Sequence, residues 1–463
     1  MTKVSDNEAV VSGPLPRPAV TPGGAVARHR ELFTAEVTDL CEDGRGMAEL
    51  EGRRLYIDGA LPGETVRFHF LRRRKRSAGG RAVEILHAAP QRVEPPCAHA
   101  AVCGGCRLQH LADGAQLDFK EHTLRSHLLA CGGLAPREWL APLRGPLWHY
   151  RRRARLGVRY IPGKGGVLVG FRARNSSYIV SLSFCHILDR RVAGLMPVLA
   201  GLVDGLSCRE RLPQIEVAAG DDAVALVFRH LVPLTAGDER RLADFGRLHD
   251  LQIHLQPKGP DTCWCLYPDN PAPLGYRLPA HEVEIQFRPT DFIQINAEVN
   301  RRMVDQAMAL LQPGPGDTVL DLFCGLGNFT LPLARRAGSV VGLEMNPQLV
   351  AGAAANARRN GIDNVTFHEV DLREAQAGTF WEVYAPDKVL LDPARDGAMA
   401  FLKHMPRDRG PGRIVYVSCN PVTLARDAEY LVRVLDYEMT HAGIVDMFPH
   451  TAHAEAMAVF QRR

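Results

Sequence analysis

The chain has 463 residues, with 56 Lys and Arg against 52 Asp and Glu, a net charge of +4 and 46% hydrophobic residues. That length suits two or three domains, each with its own core. No apolar run of about eighteen residues occurs, so a membrane-spanning helix is not expected. Eleven cysteines in a chain without a secretory leader speak against a disulfide framework and for metal binding or thiol chemistry.

Residues 1–30, beginning MTKVSDNEAVVSGPLPRP, are rich in Pro, Gly and small residues and lack an apolar leader core. They read as a disordered tail, and the expected location is cytoplasmic. From Leu32 to Ala88 the pattern changes to short strand-like runs, ELFTAEVTDL, GMAEL, RRLYIDGAL and ETVRFHFL, punctuated by glycines at 44, 46, 52, 59 and 63. This predicts a small closed β-barrel over 31–90, of the OB-like kind that binds oligonucleotides. RFHFLRRRKR (Arg67–Arg76) lies on it, and HYRRRARLGVRY (His149–Tyr160) follows later. Two basic clusters with aromatic residues interleaved point to a polyanion such as RNA; a solvated basic face is the plainer reading of either one.

PCAHAAVCGGCRLQH places Cys97, Cys103 and Cys106 at C-x5-C-x2-C. A fourth thiolate would come from Cys131, Cys185 or Cys208, and such a set suits zinc or an iron–sulfur cluster, which spacing does not separate. GAQLDFKEHTLRSHLLACGG reads as a helix stopped by Gly132 and Gly133. A strand-rich central α+β domain over 91–290 follows.

From Gly314 continuous apolar strands alternate with helices, the mark of a doubly wound parallel sheet in a Rossmann-like α/β domain, placed at 291–463. Asp321-Leu-Phe-Cys-Gly325-Leu-Gly327-Asn328 follows its first strand. This is not the G-x-G-x-x-G of a dinucleotide site, so a nicotinamide dehydrogenase is the weaker relative. Glu344 ends the second strand, where a carboxylate can accept from both ribose hydroxyls, and Asp371 ends the third. The order resembles that of S-adenosylmethionine-dependent methyltransferases.

RIVYVSCNP sets Cys419 just past a strand on the same edge, and LLDP sets Asp392 there too. A thiol beside a methyl donor suits carbon 5 of uracil. A thiolate adding at carbon 6 makes carbon 5 nucleophilic, and a base then removes the carbon 5 proton. Glu455 in FPHTAHAE is the candidate base, with His450 and His453 as alternatives. Cys324, inside the glycine loop, reads as a packing or cofactor-lining thiol.

Taken together, SCNPVTLARD, FPHTAHAE, DLFCGLGNFT, DFIQINAEVN and LDPARDG closely resemble the RNA 5-methyluridine methyltransferases. The resemblance implies Cys419 as nucleophile and Glu455 as proton-abstracting base. It implies S-adenosylmethionine surrounded by Gln294, Phe323, Asn328, Glu344, Asp371 and Asp392. It also implies a [4Fe-4S] cluster on Cys97, Cys103, Cys106 and Cys185, a TRAM module over 31–90, and 23S rRNA as partner, in the branch that modifies uridine 1939. Another rRNA or tRNA uridine, a cytosine in RNA, or a non-catalytic RNA-binding assembly factor are the rival readings. No protein partner is indicated, and a monomer is expected.

Overall fold

A computed structural model describes residues 31–73, 77–163, 166–374 and 379–463. The expected tail, 1–30, and Arg74, Lys75 and Arg76 of the first arginine run lie outside the described residues.

Period-2 alternation builds the first sheet. Its strands are β1 (Phe33–Glu36), β2 (Asp39–Leu40), β3 (Gly46–Leu50), β4 (Arg53–Asp58), β5 (Thr65–Arg73) and β6 (Ser77–His87). They lie in the order β1-β5-β6-β4-β3-β2. One face carries Val37, Ala48, Leu55, Ile57, Val66 and Phe68 into a single core. β1 pairs with β5, β2 pairs with β3, and the Thr38 N–H between them donates to the Met47 carbonyl. The chain from Phe33 to Leu40 therefore serves both edges, and the sheet is curled, in line with the predicted barrel. This sheet belongs to a unit that runs up to Gln116 and takes in His450–Ala452.

The second unit comprises Leu117–Pro449 with His453–Arg463. Helix α1 (Asp113–Ala130) buries Leu117, Lys120, Leu124 and Leu128 at helical spacing. It stops at Gly132 and Gly133, both at positive φ. Lys120 has no exposed surface; its Nζ donates to Asp446 Oδ1 at 2.5 Å and to the Phe448 carbonyl at 3.0 Å. The two-residue β7 (Glu138–Trp139) follows.

The central sheet holds β8 (Arg153–Ile161), β9 (Gly166–Gly170), β10 (Gln214–Ala219), β11 (Val224–Arg229), β12 (Gln252–Gln256) and β13 (Trp264–Tyr267), in the order β13-β12-β11-β10-β8-β9. Helix α2 (Met196–Asp204) follows β9, and α3 (Ala236–His249) forms the crossover between the parallel pair β11 and β12. The hairpin β14 (Leu274–Leu278) and β15 (Val283–Phe287) leads to α4 (Ala297–Leu311).

The last sheet alternates as predicted: β16 (Thr318–Leu322), α5 (Thr330–Ala334), β17 (Ser339–Glu344), α6 (Pro347–Arg359), β18 (Val365–Glu369), α7 (Thr379–Tyr384), β19 (Lys388–Leu391), α8 (Met399–Leu402), β20 (Arg413–Ser418), α9 (Pro421–Arg433), β21 (Tyr437–Val445) and β22 (Glu455–Arg462). Its order is β18-β17-β16-β19-β20-β22-β21-β7. β16 to β20 are parallel, β22 runs antiparallel between β20 and β21, and β7 pairs parallel with β21. A strand of the expected central segment thus finishes the edge of the C-terminal sheet. Among the described residues no helix is long and apolar enough to cross a membrane.

Candidate active site

The chain leaves β16, builds β17 and β18 outward on one side, then crosses to β19 and β20 on the other. The direction reverses at β16, and in open sheets a crevice opens at the carboxyl ends of such strands. The loop after β16 lines it. Phe323 has φ +65°, and its N–H donates to the Leu343 carbonyl at 2.9 Å. Gly325 and Gly327 also have positive φ, and a Cβ on Gly325 would meet nothing within 4 Å. The backbone there is open to a ligand in the way a glycine loop requires.

Buried acids gather below this loop. Asp321, fully buried, accepts from the Thr330 hydroxyl at 2.5 Å, while its other oxygen has no hydrogen-bond partner. Burial pushes its carboxyl up to about 7. At the tip of β17, Glu344 accepts from the N–H groups of Gly325 at 3.2 Å and Asn346 at 2.9 Å. Gln294 Nε2 donates to Asp392 Oδ2 at 3.4 Å, and burial raises Asp392 to about 7. Asn328 is gripped by Asn300 and Tyr276. The structure thus brings Gln294, Phe323, Asn328, Glu344 and Asp392 to one edge. Asp371 differs: Arg373 binds its carboxylate at 2.6 Å and holds it down to about 2.

Cys419 lies one residue beyond the pair Ser418–Ala456 of β20 and β22, so it leaves the sheet opposite Glu455. The sulfur is half-buried, and its thiol is raised by burial and then by the negative charges of Glu455 and Asp392, with Arg395 acting in the opposite sense. Glu455 is 3% exposed and has one oxygen without a hydrogen-bond partner. Burial, reinforced by Asp392, lifts it to about 8. A carboxyl in that state takes up a proton near neutral pH, as a general base must.

The backbone around the thiol is fixed locally. Asn420 caps α9 by accepting from the Val422 N–H at 3.1 Å, with Pro421 at the first helical position. Its Nδ2 donates to the Arg395 carbonyl at 2.9 Å, and the Thr423 hydroxyl donates to the same oxygen at 3.1 Å. The fully buried Asp427 accepts from the Tyr416 hydroxyl and the Ala398 N–H, each at 2.7 Å. These bonds tie the Asp392–Ala398 loop to the helix that follows Cys419. The sequence signalled the cap through Asn-Pro; Asp427 and Asn300 close the quoted stretches SCNPVTLARD and DFIQINAEVN but carried no role there, and Tyr276 lies outside every quoted motif.

The alternative bases have partners of their own. The His450 N–H donates to Gln116 Oε1 at 2.9 Å within the first unit. The His453 ring packs edge-on against Phe448 at 5.7 Å. Cys324 is 5% exposed with its thiol pushed well up by burial, which fits packing.

Cys103 Sγ accepts from the Gly105 N–H at 3.4 Å, and Cys97 is bonded by the backbone of His99 and Ala100. Such contacts suit thiolate ligands. Yet among the described residues no group of three or more His, Cys, Asp or Glu side chains is placed to hold a metal ion. Of the other fourth-ligand candidates, Cys131 packs against the C-terminal core, and Cys208 is buried with its thiol pushed up to about 11.

The second arginine cluster is only partly available to a polyanion. Arg152 pairs with Asp221 at 2.5 Å, and Arg153 pairs with Glu216 at 3.3 Å and bonds the Pro289 carbonyl. Both are largely buried, so they pack within the central domain; Arg155 and Arg159 are the exposed members, and Arg155 also meets Glu216 at 3.2 Å.

The family described as tRNA (Uracil-5-)-methyltransferase matches residues 113–463. The chain belongs to this family. Among curated relatives, the 23S rRNA (uracil(1939)-C(5))-methyltransferase RlmD of Alkalilimnicola ehrlichii is 51% identical over 94% of this chain and 97% of its own. The protein of the same name from Alcanivorax borkumensis is 48% identical over 92% and 96%. Among solved structures, the Pyrococcus abyssi tRNA (uracil-54, C5)-methyltransferase in complex with S-adenosyl-L-homocysteine aligns with a TM-score of 0.70 and 25% identity. That alignment covers 92% of this chain and 100% of the other.

Proposed function

We propose that this family member methylates carbon 5 of a uridine in 23S rRNA, at position 1939, with S-adenosylmethionine as methyl donor. The observation that carries the reading is the placement of Cys419 opposite a buried glutamate, one of whose oxygens has no hydrogen-bond partner, on the edge that bears the glycine loop. Relatives with 47–51% identity, all named for that uridine, support the position.

When bound, S-adenosylmethionine supplies an electrophilic methyl on a sulfonium. Gln294, Phe323, Asn328, Glu344, Asp371 and Asp392 are the residues proposed to surround it; Arg373 would have to share Asp371. Cys419 Sγ, as thiolate, bonds to carbon 6 and so makes carbon 5 nucleophilic. Once carbon 5 is methylated, Glu455 takes its proton, the carbon–sulfur bond breaks, and the thiolate is restored. The half-buried sulfur cannot reach a base inside a stacked helix, so the uridine is presented unpaired or flipped.

The domain reading is a TRAM-type barrel over 31–90, a central domain over 91–290 and the methyltransferase domain over 291–463. A [4Fe-4S] cluster on Cys97, Cys103, Cys106 and Cys185 is the finer reading of the cysteines. Their spacing and the N–H···S contacts at Cys97 and Cys103 support thiolates that hold a metal, and the resemblance to the rRNA-modifying branch favours the cluster over zinc. No step of the reaction passes through it. Anaerobically purified protein should contain iron and sulfide with visible absorption, and colourless protein with stoichiometric zinc would refute it.

The main test maps 5-methyluridine in 23S rRNA from cells lacking the protein and from cells complemented with wild type or Cys419→Ala. The modification should return with wild type alone. Its presence in the deletion strain would end the position assignment, and its return with the alanine variant would end the nucleophile assignment.

A further inference from the structure

The glycine loop is held by two residues outside the C-terminal sheet. Tyr276 Oη, on β14, donates to Asn328 Oδ1 at 2.9 Å. Asn300 Nδ2, on α4, donates to the same oxygen at 2.9 Å, and Asn328 Nδ2 donates back to Asn300 Oδ1 at 2.9 Å. Asn300 is 3% exposed and Tyr276 is buried, so on their side these bonds are shielded from water, while Asn328 itself is half-buried. Both lone pairs of the Asn328 carbonyl are used, and one of its two N–H bonds. An amide so committed acts first as a clasp on its own loop.

The stretch that carries Asn300 also reaches the other flank of the crevice. Gln294 lies six residues earlier and donates to Asp392 after β19. Between them Asn296 caps α4, its side chain accepting from the Val299 N–H. One short segment therefore touches the loop after β16 and the loop after β19, the two flanks of the point where the sheet reverses.

We propose that Asn300 and Tyr276 are positioning residues for the methyl donor, holding the Gly325–Asn328 backbone in its cofactor-receiving form through the Asn328 side chain. The inference rests on the reading that this crevice binds S-adenosylmethionine. Neither residue is asked to touch the donor or the RNA.

The test is calorimetric titration of the full-length protein with S-adenosylhomocysteine, alongside RNA binding and steady-state kinetics. Tyr276→Phe removes one of the two bonds to Oδ1 and keeps the ring, so affinity should fall about tenfold. Asn300→Leu removes the reciprocal pair and should cost on the order of a hundredfold. In both, KM for S-adenosylmethionine should rise while kcat at saturating donor and the affinity for RNA stay near wild type. In an Asn328→Ala background the Tyr276→Phe change should cost nothing further, because its partner is gone. Should Asn300→Leu fail to fold, Tyr276→Phe still decides. Wild-type binding with folded variants that bind equally well overturns the inference alone, as does a parallel loss of RNA affinity. A wild-type protein that takes up no S-adenosylhomocysteine overturns the methyl-donor reading and the inference with it.

Discussion

Glu455 combines near-complete burial, an unpartnered oxygen and a neighbouring acid in Asp392. Both carboxyls are pushed up, Glu455 to about 8 and Asp392 to about 7. The charged Glu455 and the Cys419 thiolate are therefore alkaline forms of the free protein, and single-turnover methylation measured from pH 6 to 9 should rise through about 8. Glu455→Gln should still add its thiol to the uridine but fail to release it. A protein–RNA adduct should accumulate on denaturing gels, with turnover down on the order of 10²- to 10⁴-fold. The same burial has a sign in stability. A carboxyl whose folded pKa exceeds its ordinary value favours the fold most below that ordinary value, and the benefit is lost as pH rises through about 8. Glu455→Gln should accordingly raise Tm against wild type at pH 9 and leave it nearly unchanged at pH 4. The shared placement of Cys419 and Glu455 was legible because Ser-Cys-Asn-Pro and the His-x-Glu stretch sit at strand ends. The Tyr276–Asn328 bond was not, since it spans 52 residues and neither residue type announces it.

At the scale of elements, α9 does more than follow the thiol. Asn420 caps it and also grips the Arg395 carbonyl, so a single side chain sets both the helix start and the loop that carries Asp392. Asn420→Ala should cost about 1 kcal/mol in chemical denaturation, the usual value for a lost cap. Its kcat should fall by about tenfold or more, beyond what the stability loss explains. If kcat and stability decline only in proportion, the positioning role is wrong. The alternation of strands and helices from β16 to β20 was readable from apolar runs alone. The joining of β7 to β21 was not, because a two-residue strand carries no periodicity and its partner lies some three hundred positions later. Lys120 was hidden for a related reason: a lysine on the inner face of α1 looks like an interruption until Asp446 and the Phe448 carbonyl meet it.

For the whole molecule, the nearly balanced charge of +4 says little about RNA, and the arginine clusters say less than their density suggests. Arg152 and Arg153 are spent on Asp221 and Glu216, acids more than sixty residues away that no local pattern could pair with them. Electrostatic contact with RNA then falls to fewer side chains than a count of arginines implies. Log affinity for an RNA fragment should decline linearly with log salt, by about 0.7 for each phosphate contact on single-stranded RNA. Arg159→Ala should make that slope shallower, whereas Arg152→Ala should lower Tm first, which filter binding and calorimetry can separate.

The insertion of β22 between β20 and β21 also governs when the site can exist during synthesis. β20 and β21 emerge from the ribosome earlier but have no partner in one another, and the strand that joins them begins with Glu455 and comes last. Until it arrives, two apolar strand edges wait unpaired, the situation that favours chaperone capture or misassembly. Cys419 and Glu455 are thus united only in the final step of sheet closure, and a nascent chain halted before β22 carries the Cys419 thiol with no carboxyl opposite it.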